Sequence, residues 1–354
     1  MKNYHAILLT AIIALFLLSS CAQNNTVSKS DFVIADGQVP NVTTDKNGNV
    51  HVVYGVGDSI MYTFSSDQGR SFSSPVVIDV VPKLFSFAMR GPQIAATDAG
   101  VVVTACTSRG NIDSYFQKNQ KWQKGARVND EDTVAKEGLM ALSADGNNAF
   151  AVWLDLRKNK RNKIAGALSK DGGKTWSQNK LIYQSPDSSV CECCKPSVEV
   201  KGNNIYVMFR NKVNGNRDLY LIRSTNAGAS FDKAQKLGNE SWQLNACPMD
   251  GGGLAINENG EVQTAWRRKD KIYSDVPGMP EAELGNGRSC TVQSVNNKFV
   301  YAWTDSSKIK LLKTDGKKEV LGNGMLPVLT PIDKDHLLCV WENEKQIHAA
   351  VTDL

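Results

Sequence analysis

Histidine is scarce in this chain, with four residues in 354. His5 lies ahead of the folded body, and His51, His336 and His348 fall in separate segments. No histidine cluster or Ser-His-Asp arrangement is therefore on offer. Nothing matches a phosphate-binding loop or a dinucleotide fingerprint. Heptads, low-complexity tracts and proline-rich linkers are missing as well, which argues against coiled coils and strings of tethered domains. Charge of one sign is also lacking. The 41 Lys and Arg are interspersed with 36 Asp and Glu for a formal +5, so no basic stripe offers itself to nucleic acid. The one long apolar run, Ala6 to Leu18, is too short to span a bilayer.

That run ends in Leu18-Ser19-Ser20-Cys21, which resembles the lipobox of bacterial lipoprotein signals. The resemblance implies a signal peptide over 1–20, a lipid on Cys21 and a polar tether over 21–30. It also implies export and attachment to the cell envelope, the membrane being reached through the lipid alone. No acidic residue follows Cys21 directly, which by the same resemblance favours the outer membrane. Residues 31–354 then read as a single domain.

The body alternates apolar and polar residues in short runs separated by Gly, Asn and Asp turns, the pattern of β-strands. A unit recurs: a strand, a turn such as Asp45-Lys46-Asn47-Gly48, then a strand closing on a bulky residue. Its landmarks are Tyr54, Cys106, Trp153, Phe209, Trp266, Trp303 and Trp341, and a third strand follows each. Units of about 40–55 residues fit the four-stranded blades of a β-propeller. The count gives seven, with six open because the last two units are short. The last unit lacks a fourth strand, which Asp31 to Ile34 could supply to close the ring.

The segment Ser169-Lys170-Asp171-Gly172-Gly173-Lys174-Thr175-Trp176 reads as a tight hairpin, with weaker copies at Ser65–Phe72 and Ser224–Phe231. The pattern resembles the Asp box of the sialidase-like (BNR repeat) propellers, where it is a structural turn. The resemblance implies an all-β propeller and a glycan-directed role on the face opposite these hairpins. Arg90, Arg109, Asp155, Arg157, Arg210, Arg267, Arg268, Asp305 and Glu342 map to that opposite mouth. Guanidinium forks pair carboxylates bidentately, so such a mouth suits an acidic glycan or another anionic ligand.

Carried over residue by residue, Arg90-Gly91-Pro92 resembles the motif of the first carboxylate-binding arginine of sialidases. Arg210 resembles the second, Arg267 stands for the third, and Asp155 or Asp113 for the general acid. Two departures bear on chemistry. The glutamate that activates a tyrosine nucleophile falls on Lys195, in Lys195-Pro196-Ser197-Val198, and no tyrosine stands in the blade beginning at Gly287 where one is expected. Tyr301, on the following strand, is expected to point into its blade.

Seven cysteines remain after Cys21, an odd number. Cys191, Cys193, Cys194 and Cys247 fall in two loops entering neighbouring blades on the mouth side. They read either as disulfides, such as Cys194–Cys247, stabilising by on the order of 2–4 kcal/mol, or as a soft-metal site. In the latter, thiolates with the Met249 thioether suit copper and thiolates alone suit zinc. A redox role for the vicinal pair is the third reading. Cys106, Cys290 and Cys339 read as buried thiols on apolar strands. Two functions follow. One is a sialidase-like glycoside hydrolase or glycan binder needing no cofactor. The other is a non-catalytic propeller with a cysteine-based disulfide, copper or zinc site.

Overall fold

The computed structural model describes residues 31–118 and 120–354, and these form 28 strands and no helix. The signal sequence, Cys21 and the tether lie outside the described residues. The strands group into seven antiparallel four-stranded sheets. The first strands of successive blades are Gln38–Thr44, Gln93–Thr97, Met140–Asp145, Ser197–Lys201, Gly252–Ile256, Arg288–Val295 and Met325–Pro331. Each lies beside the first strand of the next blade, and the seventh returns to the first. The molecule is a seven-bladed propeller, so the six-blade alternative falls. The short sixth and seventh units are complete, with Lys318–Asn323 as the sixth blade's fourth strand.

Ring closure follows the expected route. Phe32–Asp36 pairs with Gln346–Asp353 as the outer strand of blade seven, Phe32 opposite Ala349 and Asp36 opposite Gln346. Outside the ladder, Asp31 lies 3.0 Å from His348 Nδ1, and Glu342 accepts the Val39 amide at 2.9 Å. A closed ring has no sheet edge at its centre to recruit another chain.

Each second strand is sandwiched between neighbouring blades and reads as a near-continuous apolar run. Asn148–Asp155 is buried at every position after its first. The landmark rings sit here: Trp153 and Trp341 are fully buried, and Phe209, Trp303 and Trp266 nearly so. Trp303 Nε1 donates to the Asn286 carbonyl and Trp341 Nε1 to the Asn323 carbonyl, each at 2.8 Å. Both acceptors end the fourth strand of the preceding blade, so these rings cross-link blades as well as filling them.

The three hairpins share one hydrogen-bond pattern. In blade three Ser169 Oγ donates to Asp171 at 2.8 Å and accepts the Gly173 amide at 2.9 Å, while Asp171 accepts the Thr175 amide and hydroxyl. Ser65, Asp67 and Ser71 repeat it in blade one, where these bonds hold the Asp67 carboxyl at about 2. Asn226 replaces the aspartate in blade four and makes equivalent contacts with Ser230. Gly173 has φ of +84°, and a Cβ there would lie 2.1 Å from Val102 of blade two. The hairpin thus presses one blade against the one before it. It shares a side of the ring with the turns between first and second strands, since Gly172 abuts Ala99.

Candidate functional site

On the other side, the loops leading into each blade meet the ends of the second strands. The Cys191 amide bonds the Arg210 carbonyl at 3.0 Å and the Leu156 amide bonds the Val134 carbonyl at 2.9 Å. Between the seven first strands lies a cavity of about 410 Å³, lined from all seven blades. Strand alternation decides what faces it: in Ser197–Lys201, Val198 and Val200 are buried in the blade core and Ser197 and Glu199 line the cavity. Lys195, just ahead of that strand, donates from Nζ to Gln93 Oε1 at 2.8 Å. Gln93 is fixed in turn by the Gly91 and Pro92 carbonyls, at 2.9 and 3.0 Å. Glu199 accepts one bond, from Ser143 Oγ at 3.0 Å. Burial moves both charged groups toward neutrality, the Lys195 ammonium down to about 8 and the Glu199 carboxyl up to about 7. An ammonium has three donors, and Gln93 takes one.

The expected arginines are at this end of the ring, but most are engaged by the protein. Asp155 is fully buried. Its Oδ1 accepts the Arg157 amide and Nε at 2.8 and 2.9 Å, and its Oδ2 accepts Trp153 Nε1 and Arg157 Nη2 at 2.8 and 2.9 Å. Arg157 also meets Asn179, Asp130 and Glu131. This is a closed clamp. It leaves Asp155 no lone pair for a glycosidic oxygen and Arg157 no free fork for a carboxylate. Asp113 ion-pairs with Lys124 of the blade's outer strand at 3.0 Å and lines no part of the cavity. Neither aspartate is placed as a general acid.

Arg90 is half-buried over the Phe87 ring, its Nε donating to the Glu137 carbonyl at 2.6 Å. Arg210 is 2% exposed; its Nη1 and Nη2 donate to the Arg217 and Arg267 carbonyls, and its Nε has no partner. Arg267 spans the Lys269 carbonyl, Asp250 and Asp270. The guanidinium groups of Arg210 and Arg267 both lie against the Trp242 ring, at 5.4 and 5.6 Å. Asp250 is fully buried, accepts the Ser289 amide, and has its pKa raised by burial. No tyrosine lines the cavity among the described residues, and Tyr301 packs within its blade as expected.

The cysteine loops divide. Cys191, Cys193 and Cys194 are buried as a group, with Cys191 Sγ 3.7 Å from Cys193 Sγ and 3.4 Å from Cys194 Sγ. Arg217 Nη1 donates to Cys191 Sγ at 3.0 Å. Hydrogen bonding with the Cys193 and Cys194 thiols, then the Arg217 charge, pulls Cys191 far below the ordinary thiol range. Its neighbours move the other way: hydrogen bonding with Cys191 raises Cys193, and burial raises Cys194. Cys247 is not part of this group. It is exposed and unpaired, and Met249 is 43% exposed in a left-handed turn. The loop from Cys247 points outward because Asp250 and the Pro248 carbonyl are the groups that tie it to Arg267. Cys106, Cys290 and Cys339 are buried, as their apolar strands implied.

Arg217, Trp242 and Gln93 were not singled out from the sequence. Arg217 opens the third strand of blade four and Gln93 the first strand of blade two, positions that carry a signal once strand ends are mapped. Trp242 lies in an irregular stretch with no periodic signature.

No protein-family model matches the chain. The protein transport protein sec31 of Aspergillus terreus is 22% identical over 277 residues, 74% of this chain; the chain spans about one fifth (19%) of that protein's length. Among solved structures, a PL25 ulvan lyase bound to -[GlcA(1-4)Rha3S]- aligns with a TM-score of 0.55 at 11% identity, over 91% of this chain and 95% of that one. A NanB sialidase from Streptococcus pneumoniae aligns more loosely, with a TM-score of 0.47 at 12% identity over 91% of this chain and 70% of that one. What the chain shares with these solved structures is the propeller fold.

Proposed function

We propose that this protein is an exported, lipid-anchored propeller that binds an acidic glycan in its central channel without cleaving it. The observation that carries the reading is Lys195, a cation facing a cavity of about 410 Å³ with one of its three donors engaged. That volume falls in the usual range for small-ligand sites, and the mixture of apolar walls with a few fixed polar groups is their usual chemistry. Gln93, Ser143 and Ser197 supply neutral hydrogen-bonding groups beside it. A glucuronate-bearing polymer bound to a propeller of similar fold is consistent with this ligand class. Binding is favoured over hydrolysis because no tyrosine nucleophile lines the cavity and both candidate acids are tied into ion pairs. The anchor rests on the lipobox-like segment ending at Cys21.

Calorimetry with uronate- and sialate-terminated oligosaccharides against neutral analogues tests the reading. Acidic ligands are expected to bind, and Lys195→Ala to weaken them about tenfold or more, a loss of ~1.4 kcal/mol. The pH profile has a defined sign. Below about 7 Lys195 is cationic and Glu199 neutral; above about 8 Lys195 is neutral and Glu199 anionic. Affinity for an anion therefore falls as pH rises through this window. Equal binding of neutral and acidic sugars, or turnover of a fluorogenic sialoside, would overturn the proposal.

A further inference from the structure

The buried thiols of blade four are independent of the channel ligand, and they come with an electrostatic problem. Arg210 and Arg217 are 2% and 4% exposed. No carboxylate ion-pairs with Arg210, and the one near Arg217, Glu192, is 3.7 Å away and 43% exposed. Arg267 has Asp250 and Arg157 has Asp155, both fully buried. Burying a guanidinium without a counter-charge costs several kcal/mol, so the negative charge for Arg210 and Arg217 must come from elsewhere. The groups in place are sulfurs: Arg217 donates directly to Cys191, and the Arg210 carbonyl holds the Cys191 amide.

We propose that Cys191, Cys193 and Cys194 form a three-coordinate thiolate site for one copper(I) ion. A metal about 2.3 Å from three sulfurs in a trigonal plane separates them by about 4 Å. The three sulfurs lie within 4.8 Å of one another, with 3.4 and 3.7 Å measured from Cys191. No histidine, carboxylate or further cysteine joins the group among the described residues. Zinc is almost always four-coordinate in structural sites, whereas soft thiolate sets select copper(I). Charge points the same way. Three thiolates, one Cu⁺ and two arginines sum to zero, while Zn²⁺ would leave an uncompensated positive charge in a buried site. On binding, the thiol protons leave to solvent and no electron is transferred.

The test is anaerobic titration of the reduced protein with copper(I) against a chromophoric copper(I) chelator. One equivalent is expected to be retained, unchanged in Cys247→Ser and lost in Cys191→Ser, with Arg217→Met weakening it about tenfold or more. Copper K-edge absorption on the wild-type protein needs no variant: three sulfur neighbours are expected. A Cys191–Cys194 disulfide in the protein isolated without reductant, four-coordinate zinc held in preference to copper, or retention equal to that of Cys191→Ser would each overturn the site.

Discussion

Blades three and four each bury an arginine at the mouth end of the second strand, and they neutralise it differently. In blade three the clamp is complete within the protein: Asp155 accepts four hydrogen bonds, three of them from Arg157. In blade four Arg210 has only carbonyls and the Trp242 face, its Nε is orphaned, and Arg217 beside it reaches a thiol. A buried cation that already has its carboxylate is architecture. One that lacks it marks a place where something negative has still to be supplied.

The comparison can be broken most sharply at Asp155. Replacing it with Ala strands Arg157 and the Trp153 indole N–H, and unfolding free energy measured in denaturant is expected to fall by about 3–5 kcal/mol. Arg217→Met in the metal-free protein leaves no buried carboxylate behind. The same measurement is expected to show a smaller loss, about 1–3 kcal/mol, from the unsatisfied Leu244 carbonyl and Cys191 sulfur. If the two losses are equal, the supposed difference between the blades is wrong. Glu192→Gln sharpens the contrast from the other side. An exposed carboxylate 3.7 Å from its partner contributes little, so stability is expected to shift by less than about 0.5 kcal/mol. A larger loss would mean that Glu192 is the missing counter-charge.

The repeat was legible because its signals are local: turn residues, alternation and a bulky landmark at a fixed place in each second strand. Even Cys106, the odd landmark, occupies the same buried position as the tryptophans. The side of the ring on which the charges lie was legible too, since strand order alone assigns it. Their partners were not. Asp155 and Arg157 are two residues apart and were read as separate ligand-facing groups, whereas a tight turn folds one onto the other, and Asp130 and Glu131 arrive from the preceding blade. The cysteines show the same limit. Topology placed Cys247 near the trio, but the outward course of its loop depends on contacts between Asp250, Arg267 and Ser289 that no spacing encodes. Lys195 was visible as a departure from the sialidase pattern; its bond to Gln93, from two blades away, was not.

The outer strand of blade seven carries a consequence in time. Phe32–Asp36 is made before every other described strand, yet its partner, Gln346–Asp353, is the last. The Gln346–Asp36 bond closes a sequence separation of 310 residues. Contacts that distant form slowly, because the intervening chain must already be ordered. The first strand to emerge therefore waits as an unpaired edge while the other blades assemble, and the ring acquires its final stability in a single late step.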